Sequence, residues 1–192
     1  MKIIGGYARG VELASLEGQF GVRPTIGRAR EALFNALGDL TNARVLDLFA
    51  GSGALGLEAA SRGAASVTLV ELEPARAKVI EANITRVKRA GAAGDIRLVV
   101  GDATLAERYT RQGGTFDLVL ADPPYETSFA AFQALAGEDE SRFFPAFPGA
   151  LIVWELPDAP GSTGPFIELV GSRGAEWKLR KFGATEFLWL RS

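Results

Sequence analysis

The sequence predicts an α/β fold: a Rossmann-like, doubly wound and mostly parallel sheet, with an antiparallel C-terminal hairpin and a small N-terminal β-arm. Three observations carry this. Apolar strand-like runs alternate with helical stretches from residue 44 onward, the pattern of a parallel sheet covered on both faces. A glycine loop, Gly51-Ser52-Gly53-Ala54-Leu55-Gly56, follows the first run directly. The last two apolar runs flank Gly183 with only a turn between them, which marks a hairpin.

Each element has its own reason. Residues 1–24 carry Gly5, Gly6, Gly10, Gly18 and Gly21 around the short apolar runs Ile3-Ile4 and Val11 to Leu16, and read as the β-arm. Residues 25–192 then form the main domain. Thr25 caps a helix through Gly38, with Ala29, Leu33, Ala36 and Leu37 on one face. Arg44 to Phe49 is an apolar strand, Ala54 to Arg62 a short helix and Ser66 to Val70 a second strand. Pro74 opens a helix whose Ala77, Ile80, Ile84 and Val87 share a face. Ile96 to Val100 and Phe116 to Ala121 are the third and fourth strands. Ala150 to Trp154 is the fifth, after a loop rich in Phe and Pro. Trp177 to Lys181 and Glu186 to Leu190 form the hairpin. Trp154, Trp177 and Trp189 lie within strands and read as core.

A chain of 192 residues suits one domain with a small appendage. At 47% hydrophobic and 23% charged it has the material for a core. It contains neither Cys nor His, so disulfides, thiol nucleophiles, imidazole bases and most metal sites are excluded, and no metal is expected. Whatever chemistry occurs rests on carboxylates, backbone groups, aromatics, Lys and Arg. No run approaches the roughly 18 apolar residues of a membrane span, and the N-terminus lacks the apolar core of a signal peptide. A cytoplasmic monomer is expected. The formal charge of -2 hides an uneven distribution. Residues 1–44 hold six basic and four acidic residues, 45–120 nine of each, 121–170 one and eight, and 171–192 five and two. Both ends are basic.

Gly51, Gly53 and Gly56 satisfy G-x-G-x-x-G, which brings a ligand close to the backbone at a helix N-terminus. Asp47, four residues before Gly51, would oppose a pyrophosphate, and no Lys or Arg lies between Val45 and Ala60. A ligand bearing an ammonium group fits better. Glu71 ends the second strand, where a carboxylate takes ribose hydroxyls. Asp102 follows the third, where it and the Ala103 N–H can read an adenine edge. Ammonium, ribose and adenine together describe S-adenosylmethionine.

The fourth strand ends in Asp122-Pro123-Pro124-Tyr125. Two consecutive prolines cannot continue a ladder and turn carbonyls outward. An exocyclic amine conjugated to a base is a poor nucleophile, because its lone pair is delocalised into the ring. Two acceptors, the Asp122 carboxylate and the Pro123 carbonyl, could hold its N–H groups so that the lone pair faces a methyl donor. The carboxylate also stabilises the positive charge that develops on nitrogen, and Tyr125 offers a face for stacking on an extruded base.

These residues resemble those of class I S-adenosylmethionine-dependent methyltransferases. More narrowly, the chain is similar to the bacterial enzymes that methylate the exocyclic N2 of one guanine in small-subunit (16S) ribosomal RNA. The likeness lies in Arg23-Pro24-Thr25, Arg28-x-Arg30-Glu31-Ala32-Leu33-Phe34-Asn35, Val45 to Gly53, Asp122-Pro123-Pro124-Tyr125 and Lys181-Phe182-Gly183-Ala184-Thr185. The chain departs from that family at Ile26-Gly27, where another hydroxyl and an acid are usual, and in a less basic arm. The resemblance implies cofactor contacts at Asp47, Gly51, Gly53, Glu71 and Asp102, with Leu72 and Ala103 beside them. It implies substrate-amine contacts at Asp122 and Pro123, with Pro124 and Tyr125 completing the motif.

Arg9, Arg23, Arg28 and Arg30 are the candidate phosphate contacts of an RNA substrate. The expected partner is ribosomal RNA within an assembled or assembling small subunit, because a small acidic protein has little surface to specify RNA alone. Two alternatives remain open at this point. One is an amino-methyltransferase acting on adenine N6 or on a protein glutamine amide. The other is a NAD-dependent oxidoreductase, suggested by G-x-G-x-x-G and opposed by Asp47.

Overall fold

The computed structural model describes residues 1–15, 24–110, 115–137 and 144–191. Arg23 and the end of the expected arm lie outside them. Thirteen elements follow in chain order: α1 (Pro24–Leu37), β1 (Arg44–Leu48), α2 (Ala54–Ser61), β2 (Ser66–Glu71), α3 (Pro74–Arg89), β3 (Asp95–Val100), α4 (Glu107–Thr110), β4 (Leu118–Ala121), α5 (Ser128–Ala136), β5 (Leu151–Glu155), α6 (Gly164–Ser172), β6 (Trp177–Phe182) and β7 (Thr185–Arg191). Helix α1 begins at Pro24, so Thr25 falls inside its first turn rather than at its cap.

The seven strands form one sheet in the order β3-β2-β1-β4-β5-β7-β6. Strands β1 to β5 are parallel, and β7 runs antiparallel between β5 and β6. The chain reverses its direction of winding between β1 and β4, and beyond the C-terminal ends of those strands an open α/β sheet has its ligand crevice.

Alternation along β1 explains the two layers. Val45 faces one cluster with Leu33 and Phe34 of α1, Leu57 of α2 and Ile80 of α3. Leu46 and Leu48 face the other, with Phe132 of α5, Phe166 of α6, Trp154, Phe144 and Phe147. Both sides of each central strand are thus apolar, as a doubly covered parallel strand requires.

Helix α5 corrects the expected Phe- and Pro-rich loop before β5, and α6 fills the stretch between β5 and β6, where no element was expected. Ser-Phe-Ala-Ala-Phe-Gln-Ala-Leu-Ala has little polar face to give a helical period, and α6 contains Gly and Pro. Packing of Phe132 edge-on to Trp154, Phe144 and Phe166, at 5.1–5.2 Å between ring centroids, holds them instead.

The arm is a hairpin closed by an antiparallel bridge between Lys2 and Glu12. Its Ile3, Ala8 and Leu13 are buried in the same cluster as β1 and β2. Gly6, at φ +74, permits a backbone approach to the Ser61 carbonyl that a Cβ would obstruct at 1.8 Å.

Candidate active site

The parallel strands carry acids at or just beyond their C-terminal ends: Asp47 in β1, Glu71 in β2, Asp102 after β3, Asp122 after β4 and Glu155 in β5. Parallel register brings them to one edge of the sheet. There the chain leaves β1 through Phe49, whose φ of +62 is rare for a non-glycine residue and marks local strain. The Phe49 ring meets Trp154 edge-on at 5.9 Å. Gly51 and Gly53 follow at positive φ, and Gly53 opens α2.

Asp47 lies beneath this loop rather than on the cleft surface. It is 1% exposed, and its Oδ2 accepts the Gly56 N–H at 2.8 Å. The sequence suggested a direct charge contact with an ammonium; the geometry makes Asp47 a brace for the loop. Burial raises its carboxyl most, the Gly56 bond lowers it and the charges of Asp122 and Glu71 raise it, with the net result of about 8.

Glu71 is also buried and braces two segments, Oε2 accepting from Gly51 N–H at 2.8 Å and Oε1 from Glu73 N–H at 2.9 Å. Each oxygen keeps a second lone pair, so ribose hydroxyls can still be received. Leu72 beside it is exposed, Ala103 is buried, and Asp102 Oδ1 accepts from both the N–H and the hydroxyl of Thr104 at 2.8 Å. The residues present therefore fit a cationic, ribose-bearing ligand: mutually repelling carboxylates surround the loop, and a positive charge relieves them.

Asp122-Pro123-Pro124-Tyr125 leaves β4 beside this loop. Asp122 reaches solvent at the cleft, yet the protein around it removes enough water to push its carboxyl up to about 6. Pro123 is buried, and the Pro124 carbonyl accepts the Thr127 N–H at 3.1 Å, turning the chain into α5. Tyr125 is 48% exposed, a flat face at the mouth.

Glu155 escaped the sequence reading. Desolvation, then the neighbouring Asp122 charge, raise it to about 8. The expected strand stopped one residue short of it at Trp154, although an acid at a strand end was the signal already used for Glu71.

The RNA-contact candidates separate. Arg9 and Arg28 are exposed. Arg30 is not available for a phosphate: it is 5% exposed, donates to the Lys2 carbonyl and to Met1 Sδ, and is held below its usual pKa by burial. Its helical face turns inward toward the arm, which the sequence could not place. No described helix is long and apolar enough to cross a membrane.

A doubly wound sheet with β7 inserted antiparallel, and a glycine loop at its switch point, defines the class: this is the fold of the class I S-adenosylmethionine-dependent methyltransferases. Within it, residues 1–160 match the family described as conserved hypothetical protein 95, and the chain belongs to that family. It is 42% identical over 127 residues to ribosomal RNA small subunit methyltransferase D of Escherichia coli K12, covering 65% of this chain and 60% of that protein. It is 36% identical over 157 residues to the Haemophilus influenzae protein of the same name, covering 81% and 78%. The match thus spans about three fifths of the Escherichia coli relative's length. The solved structure of a hypothetical protein of Thermus thermophilus superposes with a TM-score of 0.74 at 28% identity, covering 100% of this chain and 99% of that one. A shorter match, 38% over 94 residues, is to a tRNA1(Val) (adenine(37)-N6)-methyltransferase of Shewanella, covering 48% of this chain and 38% of that protein. The Escherichia coli, Haemophilus influenzae and Shewanella relatives are methyltransferases, which favours that reading of the glycine loop over the oxidoreductase alternative.

Proposed function

We propose that the protein transfers a methyl group from S-adenosylmethionine to the exocyclic N2 amine of a guanine in small-subunit ribosomal RNA, acting as a cytoplasmic monomer on an assembled or assembling small subunit. The observation that carries this reading is the position of Asp122-Pro123-Pro124-Tyr125, which leaves β4 at the switch point beside the glycine loop. The names of the relatives in Escherichia coli and Haemophilus influenzae support the RNA substrate.

The bound cofactor supplies an electrophilic methyl group on a sulfonium. Gly51 and Gly53 let the backbone approach it, Glu71 takes its ribose and Asp102 with the Ala103 N–H takes its adenine, with Leu72 lying alongside. Asp122 and the Pro123 carbonyl accept the two N–H bonds of the guanine amine and turn its lone pair toward the methyl group. The ionised Asp122 offsets the charge growing on nitrogen. The surplus proton of the methylated amine passes to solvent water as the demethylated thioether departs, and Tyr125 stacks on the base. Arg9 and Arg28 contact phosphates.

A second reading, adenine N6, draws on the shorter Shewanella match. One experiment separates them: incubate the protein with labelled cofactor and undermethylated small subunits, then map the label. Label on a guanine N2 supports the proposal; label on adenine N6, or on protein only, overturns it.

A further inference from the structure

We propose that Asn83 is a positioning residue that couples seating of the N-terminal arm to the shape of the glycine loop, so that arm docking and cofactor binding reinforce each other. The inference rests on the reading that this loop takes S-adenosylmethionine.

Asn83 lies on α3 and is 0% exposed. Its Oδ1 accepts the Ala14 N–H at 2.8 Å, and its Nδ2 donates to the Ala14 carbonyl and the Ser52 carbonyl, both at 2.9 Å. Both amide protons are therefore committed, one to the arm and one to the loop. Ser52 sits between Gly51, whose N–H is held by Glu71, and Gly53, which opens α2. A shift of the Ser52 carbonyl strains the Asn83 amide, and a rigid planar amide passes that shift to Ala14.

The arm also grips the far end of the same unit. Ile4 and Gly5 donate to the two oxygens of the buried Glu58 carboxylate at 2.7 and 2.8 Å, and Ala8 N–H donates to Ser61 Oγ at 2.9 Å. Both acceptors belong to α2, the helix that the loop begins. Met1 Sδ lies 4.0 Å from Ser52 Oγ. Arm, loop and α2 thus move as one block, and a buried amide is the joint between them. Leaving one of its partners unsatisfied in the interior is costly. Thermodynamic linkage then requires that whatever steadies the arm tightens the cofactor, and the reverse.

The test uses the full chain, with S-adenosylhomocysteine as the probe in calorimetry and amide hydrogen exchange as a second readout. Ala14→Pro removes the arm's N–H without touching the loop, and Asn83→Asp turns an acceptor toward the Ser52 carbonyl. Each variant, checked for folding by thermal melting, is expected to bind about fivefold or more weakly, and the double variant no more weakly than Asn83→Asp alone. In the unaltered protein the ligand should slow exchange of the Ala14 amide, a readout that needs no variant. Unchanged affinity in a folded Ala14→Pro, losses that multiply in the double variant, or unaltered Ala14 exchange would overturn the coupling alone. Failure of the unaltered protein to bind the probe would overturn the cofactor reading and the coupling with it.

Discussion

Asp122 and Glu155 stand side by side because β4 and β5 pair in parallel with Ala121 opposite Trp154, and each acid is the next residue along its strand. Asp122 is raised to about 6 and Glu155 to about 8, the latter partly by the charge of the former. The two carboxyls therefore titrate as a pair: burial and their mutual repulsion raise both, and once one has lost its proton the other holds its own more tightly.

This coupling sets a pH dependence. Methyl transfer is expected to rise through about pH 6 as Asp122 becomes an acceptor. Stability runs the other way: a carboxyl raised in the folded state contributes fully below its unfolded pKa, and that contribution is lost as pH rises through its folded value. The Tm should fall from about pH 4 to about pH 8, between the unfolded and folded pKa values of these carboxyls. Glu155→Gln should shrink that fall, most clearly above about pH 6, where Asp122 has already ionised. Asp47, also at about 8, keeps the rest. Melting curves across pH check this; an identical fall in Glu155→Gln would remove Glu155 from the account.

Asp122→Ala is expected to leave cofactor affinity unchanged and to lower methyl transfer by about 10²–10³-fold, the usual loss for one preorganised polar partner of a developing charge. Calorimetry and single-turnover transfer measure the two separately. Full transfer in this variant would end its assigned role.

Arg28 and Arg30 should diverge although they are near neighbours on α1. Arg28→Ala is expected to lower the slope of log K against log salt for RNA by about 1 with little change in Tm. Arg30→Ala strips the Lys2 carbonyl of its donor and should cost about 2 kcal/mol of stability with the salt slope unchanged. Filter binding across a salt series, paired with denaturation, distinguishes them.

Gly56→Ala should destabilise by packing alone. A Cβ there lies 2.4 Å from Leu69 Cδ2, 3.0 Å from Val67 Cγ1 and 3.1 Å from Asp47 Cβ. Overpacking of this kind costs about 1–3 kcal/mol, each being worth roughly 2–4 °C of Tm in a chain this size. Scanning calorimetry checks it; an unchanged Tm would show that β1 and β2 give way easily.

The sheet was legible because its signal is local. Val45 to Leu48 and Leu118 to Ala121 are apolar at every position save Asp47, so the strands read as doubly covered whatever lies over them. Helices α5 and α6 were not legible, since α5 is too uniformly apolar to show a helical period and is held by its Phe132–Trp154 contact. At the site, Asp122 and the glycines were visible as motifs. The brace role of Asp47 and the burial of Arg30 were not, because each depends on what packs against it.

By itself, then, the sequence determined the class of fold, the glycine loop, the acid-tipped strands and a chemistry without His or Cys, since periodicity and residue type act within a few positions of the chain. Only the tertiary structure decided which charges face the cleft. Burial and like-charge neighbours are set by partners such as Ala121 and Trp154, or Ala14 and Asn83, that lie 33 and 69 residues apart. Desolvation and hydrogen bonding between such partners turn Arg30 into an internal tie, Asp47 into a support and Glu155 into the neighbour that Asp122 titrates against.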